Sequence, residues 1–282
     1  MNSGHVIDTP ELRIQADPLR PVVRWAGGKS VMVNELVSLL PPKWNRYIEP
    51  MSGGAALFFH VRPSRAVLAD INSDLITYYS VLRDNPIELI RRLQTLTASR
   101  EFYYALRESR PRGRIQRAVR FAYLNRLAWN GLYRVNREGR FNVPIGDRLP
   151  AAMWSEANLL RASAVLGKAR LVNRDFRATA RHAVSGDFVF FDPPYPRGCR
   201  EQVGFNRYAS DVFTIKDHLE LADVITDMTR RSVQVMLTLT EADHLEEIYP
   251  RSLHRNRFES KALIACNGSA RRNVTELILT NY

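Results

Sequence analysis

The chain has 282 residues, 45% of them hydrophobic and 25% charged, which fits one large globular domain or one domain carrying an insert. No apolar run nears the ~18 residues of a membrane span, and the polar, acidic start is not that of a signal peptide. Two Cys and six scattered His give neither a disulfide framework nor zinc-ligand spacing, so a reducing cytoplasm and no metal are expected.

Residues 1–20, polar and proline-containing, are expected to form a flexible tail. Arg24-Trp25-Ala26-Gly27-Gly28-Lys29-Ser30 follows. Its Gly-Lys-Ser suggests a phosphate-binding loop, but that motif needs Gly where Val23 stands and a strong strand before it. Residues 31–40 have helical apolar spacing and stop at Pro41-Pro42. Tyr47-Ile48-Glu49 reads as a strand that runs into Pro50, the small residues Ser52-Gly53-Gly54-Ala55 and a helix over 56–61. Residues 66–69 form a second buried strand closed by Asp70. Small residues between a first strand and a first helix let a ligand approach the backbone, and an acid ending the next strand commonly binds ribose hydroxyls. A nucleoside-containing cofactor fits this pattern, as does a plain tight turn with a helix cap.

Helices are expected at 73–83 and 86–96. The charge then becomes lopsided. The net charge is +12, and only five of the 41 basic residues are Lys. Residues 91–140 hold thirteen Arg against three Glu, interleaved with Phe102, Tyr103, Tyr104, Phe121, Tyr123, Trp129 and Tyr133. Basic residues among aromatics are the footprint of a nucleic-acid surface, although a solvated helix face gives the same excess. Residues 114–128 read as an Arg-faced helix, and 130–144, with Asn130-Gly131 and Glu138-Gly139, as a loop or β-hairpin.

Strand–helix alternation resumes with a helix at 155–166, strands at 169–173 and 187–191, a helix at 216–230 and a strand at 233–238. Two late apolar runs, 261–265 and 274–280, have no helix between them and predict an antiparallel pair at a sheet edge. The fold class is α/β: a doubly wound, Rossmann-like sheet formed by 21–90 and 161–282, split by a helical and hairpin insertion at 91–160.

Phe188-Val189-Phe190-Phe191-Asp192-Pro193-Pro194-Tyr195 is the most informative run. The apolar residues make a buried strand, and two prolines force the chain out of the sheet at Asp192. That turn presents a carboxylate, a peptide carbonyl and an aromatic ring at the carboxyl end of the sheet, where ligands bind. An ordinary strand ending in a Pro-rich turn is the simpler alternative. The three groups together suit an exocyclic amine on an aromatic ring. Asp192 and the Pro193 carbonyl would accept its two hydrogens and free its lone pair, while Tyr195 stacks on the ring.

These pieces resemble the D12 class of DNA adenine-N6 methyltransferases, the DNA adenine methylase family. The likeness runs in order through Arg24–Lys29, Glu49-Pro50, Ala69–Leu75, Leu124-Asn125-Arg126, Asn130-Gly131-Leu132, Arg134, Phe141–Pro144 and Asp192–Tyr195. It implies an S-adenosylmethionine-dependent enzyme, with Trp25, Lys29, Glu49, Gly53, Asp70 and Asp192 at the cofactor and Asp70 on the ribose. It assigns Asp192, Pro193 and Tyr195 to an adenine flipped out of double-stranded DNA, because chemistry on a stacked base is otherwise blocked. It makes 91–160 a target-recognition region in which Arg126, Trp129, Asn130, Leu132, Arg134, Asn142 and Pro144 face DNA, plausibly at a GATC-like site. Arg134 suits bidentate contact to guanine, and Trp129 suits a wedge into the opened stack. A monomeric bacterial or phage protein acting in the cytoplasm is implied.

Several residues depart from the family pattern. Met51 and Ala55 replace a Phe and a second Gly of the cofactor loop, Asp147 replaces a basic residue, and Thr238-Leu239 stands where Ser-Asn is usual. Asn267-Gly268 and Arg271-Arg272 look like the family's closing loop. Cytosine-N4 methylation needs the same two acceptors and is the nearest rival; a DNA-binding protein of this fold that has lost turnover is the rival from another class.

Overall fold

The computed structural model describes residues 19–194, 213–240, 245–261 and 273–282. Tyr195, both cysteines, and the 267–268 and 271–272 pairs lie outside the described residues, as does nearly all of the expected tail.

Seven strands form one sheet: β1 (Tyr47–Glu49), β2 (Ala66–Asp70), β3 (Ala169–Asn173), β4 (Phe188–Phe191), β5 (Gln234–Thr240), β6 (His254–Lys261) and β7 (Asn273–Thr280). Their order is β3-β2-β1-β4-β5-β7-β6. The first five are mutually parallel, and β7 runs antiparallel to both β5 and β6. The order reverses between β1 and β4, and the crevice beyond the carboxyl ends of strands at such a reversal is where doubly wound sheets bind ligands.

The helices are α1 (Val33–Ser38), α2 (Ala56–Val61), α3 (Ser73–Asp84), α4 (Pro86–Gln94), α5 (Arg100–Glu108), α6 (Arg114–Leu127), α7 (Glu156–Leu166), α8 (Phe176–Ala180) and α9 (Ile215–Arg230). They cover both faces, because the strands alternate. Tyr47, Leu68, Phe188, Phe190 and Met236 join a core with residues of α2, α3, α4, α6 and α7. Ile48, Val189, Phe191, Val235 and Leu237 join a second core with α8 and α9. The same alternation puts Glu49, Asp70 and Thr238 on the Tyr47–Phe190 side, at the carboxyl ends of their strands.

Two expectations need correction. The late edge pair exists, but its first strand is β6, most of it before the apolar run at 261–265, whose residues 262–265 lie outside the described set. That strand is made of His254-Arg255-Asn256-Arg257-Phe258-Glu259-Ser260-Lys261, a charged edge without apolar alternation. The helix expected at 31–40 is shorter, because Lys29–Val31 form a separate 3-10 turn before it. Helices α5 and α8 were not foreseen, although Ser99 and Asp175 cap them with side-chain bonds to Phe102 N and Arg177 N.

Helix α6 faces two ways. Ala118, Phe121 and Ala122 belong to the main core, whereas Tyr123, Leu124 and Leu127 belong to a smaller one with Tyr103, Phe141, Val143 and Ile145. The smaller core supports a hairpin closed by bridges Ala128↔Ile145 and Val135↔Phe141. Its tip turns on Asn136, whose side-chain oxygen accepts from the N–H groups of Glu138 and Arg140.

Candidate active site

Asp192 leaves the sheet directly after β4. Its Oδ1 takes two contacts: the Lys29 ammonium at 2.8 Å and a hydrogen bond from the Thr238 hydroxyl at 2.7 Å. The Lys29 side chain is 5% exposed and that of Asp192 22%, so the ion pair is shielded while the carboxylate still reaches solvent. Lys29 also donates to the Gly27 carbonyl at 3.0 Å. Gly27, at φ +79°, allows the tight turn in which Gly28 N bonds Trp25 O, and that turn delivers the lysine. Lys29 therefore serves a carboxylate, and among the described residues no strand precedes it, which argues against the phosphate-loop reading.

Next to it, Glu49 ends β1 and is 2% exposed. It points under the loop: its Oε1 accepts from the Tyr47 hydroxyl and from Phe58 N at 3.2 Å. Burial, opposed by these two bonds, pushes the Glu49 carboxyl up to about 8, so it holds a proton at neutral pH. Asp70 ends β2 and is 8% exposed. Its Oδ2 accepts from Gly53 N at 2.9 Å and its Oδ1 from Asn72 N at 2.8 Å. Burial raises its pKa and the two amides oppose that rise. Gly53 has φ +44°, and its carbonyl accepts from Tyr79 at 2.7 Å. A Cβ there would lie 2.7 Å from Trp25 Nε1, so only glycine lets the tryptophan lie on the loop. Ile71, 77% exposed beside Asp70, adds an apolar surface that the sequence reading passed over.

Trp25 ties this end of the sheet to the basic segment. It stacks on Tyr133 with centroids 6.2 Å apart and planes 15° apart. The Tyr133 hydroxyl donates to Asp74 at 2.8 Å, and Arg117 reaches the other oxygen of Asp74 at 2.8 Å. Asn125, 2% exposed, accepts from Arg24 N at 2.8 Å and donates to Arg24 O at 2.7 Å. Its side chain is therefore a clamp on the Arg24 backbone, just before Trp25. A cleft of about 380 Å³, lined in part by Arg24, Trp25, Gly28, Gly54 and Asn130, lies here, and neither Asp70 nor Asp192 borders it.

Comparison with known proteins identifies the family of the chain. The D12 class of N6 adenine-specific DNA methyltransferases matches residues 25–263. The chain belongs to that class. It is 35% identical over 274 residues to a type II methyltransferase of Lactococcus lactis subsp. cremoris, covering 94% of this chain and 96% of that one. It is 31% identical over 266 residues to the DNA adenine methylase of Escherichia coli strain K12, covering 92% and 94%. A type II methyltransferase of Methanocaldococcus jannaschii is 29% identical over 289 residues, covering 94% and 99%. The protein is thus an adenine-specific DNA methyltransferase, with DNA as its substrate and a methyl donor implied.

In this D12 methyltransferase the residues expected to face DNA sit on the end of α6 and on the hairpin. Trp129 N donates to Pro144 O at 3.0 Å, which pairs the hairpin's two limbs. Asn130 and Gly131 take left-handed backbone (φ 52° and 64°), and a Cβ on Gly131 would lie 2.7 Å from Arg24 Cβ. Arg134 Nε donates to Asn142 Oδ1 at 2.8 Å, so these two predicted residues form one unit. Trp129, Asn130, Leu132 and Arg134 are partly exposed and Pro144 is exposed. Arg126 is half-buried with Nη2 on Ala152 O at 3.2 Å; burial and then the nearby Arg24 lower its pKa. Among the described residues no metal-holding cluster of His, Cys, Asp and Glu occurs, and no helix is long and apolar enough to cross a membrane.

Proposed function

We propose that this methyltransferase moves the methyl group of S-adenosylmethionine to N6 of an adenine flipped out of duplex DNA, in a GATC-like site. The Lys29–Asp192 pair at the switch point of the sheet carries the reading. The donor supplies a methyl on a positively charged sulfur. Asp70 suits its ribose: each oxygen is fixed by one backbone amide and keeps a lone pair for a hydroxyl. Gly53, Trp25 and Ile71 form a close, partly apolar bed for the rest of the nucleoside. Protonated Glu49 holds that loop from beneath without placing a second negative charge beside Asp192.

Asp192 and the Pro193 carbonyl take the two hydrogens of the adenine amine, and Tyr195 stacks on the base. The amine nitrogen then bonds the methyl carbon as the carbon–sulfur bond breaks, and the amine loses one proton to solvent. The protein's main contribution is to hold acceptors where positive charge grows on nitrogen. Residues 91–160 recognise the target, with Trp129, Asn130, Leu132 and the Arg134–Asn142 unit turned to the bases and Arg126 near the backbone. Their concentrated positive charge attracts DNA from a distance.

Expression in cells that lack adenine methylation, followed by single-molecule mapping of modified bases, tests this reading. N6-methyladenine at one short motif is expected with the wild type and none with Asp192→Ala. Methylated cytosine, or equal methylation by both proteins, would reject it.

A further inference from the structure

We propose that Thr238 is a positioning residue that aims the Asp192 carboxylate at the target amine. This rests on the function proposed above and assigns a part to a residue outside the Asp192–Tyr195 motif. The sheet register makes the placement possible. Strands β4 and β5 are parallel with Phe191 opposite Leu237, so the next step along both strands sets Asp192 beside Thr238. Strand alternation turns both to the same side. Thr238 is fully buried, and its hydroxyl lies 2.7 Å from Asp192 Oδ1 and 3.4 Å from the Phe191 carbonyl. A hydroxyl has one hydrogen, and the shorter contact to a charged acceptor takes it.

Lys29 approaches the same oxygen at 2.8 Å. The two donors come from different parts of the chain, β5 and the turn before α1. One carboxylate oxygen offers about two lone pairs, so the donors together occupy Oδ1. Both described contacts fall on Oδ1, which leaves Oδ2 to accept from the substrate. The ammonium alone would not settle the orientation. It is a compact point charge on a flexible stem, whereas a strand threonine has a stiff side chain. Lys29 thus contributes charge and Thr238 direction. A carboxylate free to rotate would spend part of its time with neither oxygen aligned to the amine, which slows the chemical step and leaves binding intact.

The test is single-turnover methyl transfer by Thr238→Val and Thr238→Ser, with Asp192→Ala in parallel. Valine keeps the shape and loses the donor, whereas serine keeps the donor. The rate constant of the valine variant is expected to fall about tenfold or more, the scale of a hydrogen bond to a charged group. The dissociation constants for S-adenosylmethionine and DNA stay within about twofold, and serine restores the rate to within about threefold. Three results would overturn the inference: a valine variant with wild-type rate, valine and serine variants equally slow, or a loss confined to binding. If Thr238→Val is fully active while Asp192→Ala is inert, only this inference fails. If Asp192→Ala is as active as the wild type, the proposed function fails with it.

Discussion

Replacing Gly53 by alanine tests how the loop between β1 and α2, proposed above to hold the methyl donor, is built. Gly53 has φ +44°, where an L-residue is strained by ~1–2 kcal/mol, and the loss of chain freedom in the unfolded state returns ~0.4–1 kcal/mol. The new Cβ would lie 2.7 Å from Trp25 Nε1 and 2.8 Å from Cδ1, so the indole must move off Tyr133. Losing that stacking costs a further ~0.5–1.5 kcal/mol. The net destabilisation is roughly 0.5–3 kcal/mol, about 1–6 °C in melting temperature for a chain of this size. Gly139→Ala is the matched control. It has φ +70° and no atom within 4 Å of its built Cβ, so it carries strain without a clash. Urea unfolding of both variants, with calorimetric titration of S-adenosylmethionine, measures the difference. Gly53→Ala is expected to lose more stability than the control and to bind the donor more weakly. Equal stability losses with donor affinity unchanged would refute the role of Trp25 as a cover on this loop.

Other outcomes follow from the same geometry. The Glu49 carboxyl keeps its proton up to about 8 in the fold against an ordinary value of 4.5, so stability falls as pH rises between them, because the unfolded chain there binds fewer protons. Glu49→Gln removes that slope, and urea midpoints across the range should diverge from wild type towards pH 8; parallel curves would contradict the buried proton. Asn125→Ala removes both bonds to the Arg24 backbone and should cost ~1–3 kcal/mol with target choice unchanged, as read by melting and by methylation mapping. Arg134→Ala should weaken discrimination by ~1–3 kcal/mol in competition binding, whereas an equal loss on every sequence would mark a phosphate contact. DNA affinity should fall steeply with salt, and a flat response would undo the reading of residues 91–140.

What was legible in the sequence depended on how local the signal was. The buried strand β4 and its exit at Asp192 could be read directly, because four apolar residues followed by two prolines admit few backbone paths. Asp70 and Gly53 were legible for the same reason, a strand end and a loop with characteristic residues. Strand β6 was not, because an edge strand bearing Arg255, Arg257 and Glu259 lacks the alternation that marks a half-buried strand. The clamp of Asn125 on Arg24 spans 101 positions and gives no local sign; the residue stood out only as part of the Leu124-Asn125-Arg126 motif. Thr238 was visible as a departure from the family pattern, yet its aim at Asp192 depends on the register of β4 against β5. Glu49 was expected at the cofactor, and its contacts with Tyr47 and Phe58 depend on which way the strand end turns.

The grip of Asp192 on the amine of an extruded adenine is the step everything proposed above depends on. A crystal structure with a sulfonium-donor analogue and a duplex containing the mapped site measures this directly. The adenine N6 is expected within hydrogen-bond reach of Asp192 Oδ2 and the Pro193 carbonyl, with Oδ1 still on Lys29 and Thr238. An adenine left stacked in the duplex, or seated with its amine away from residue 192, would contradict it.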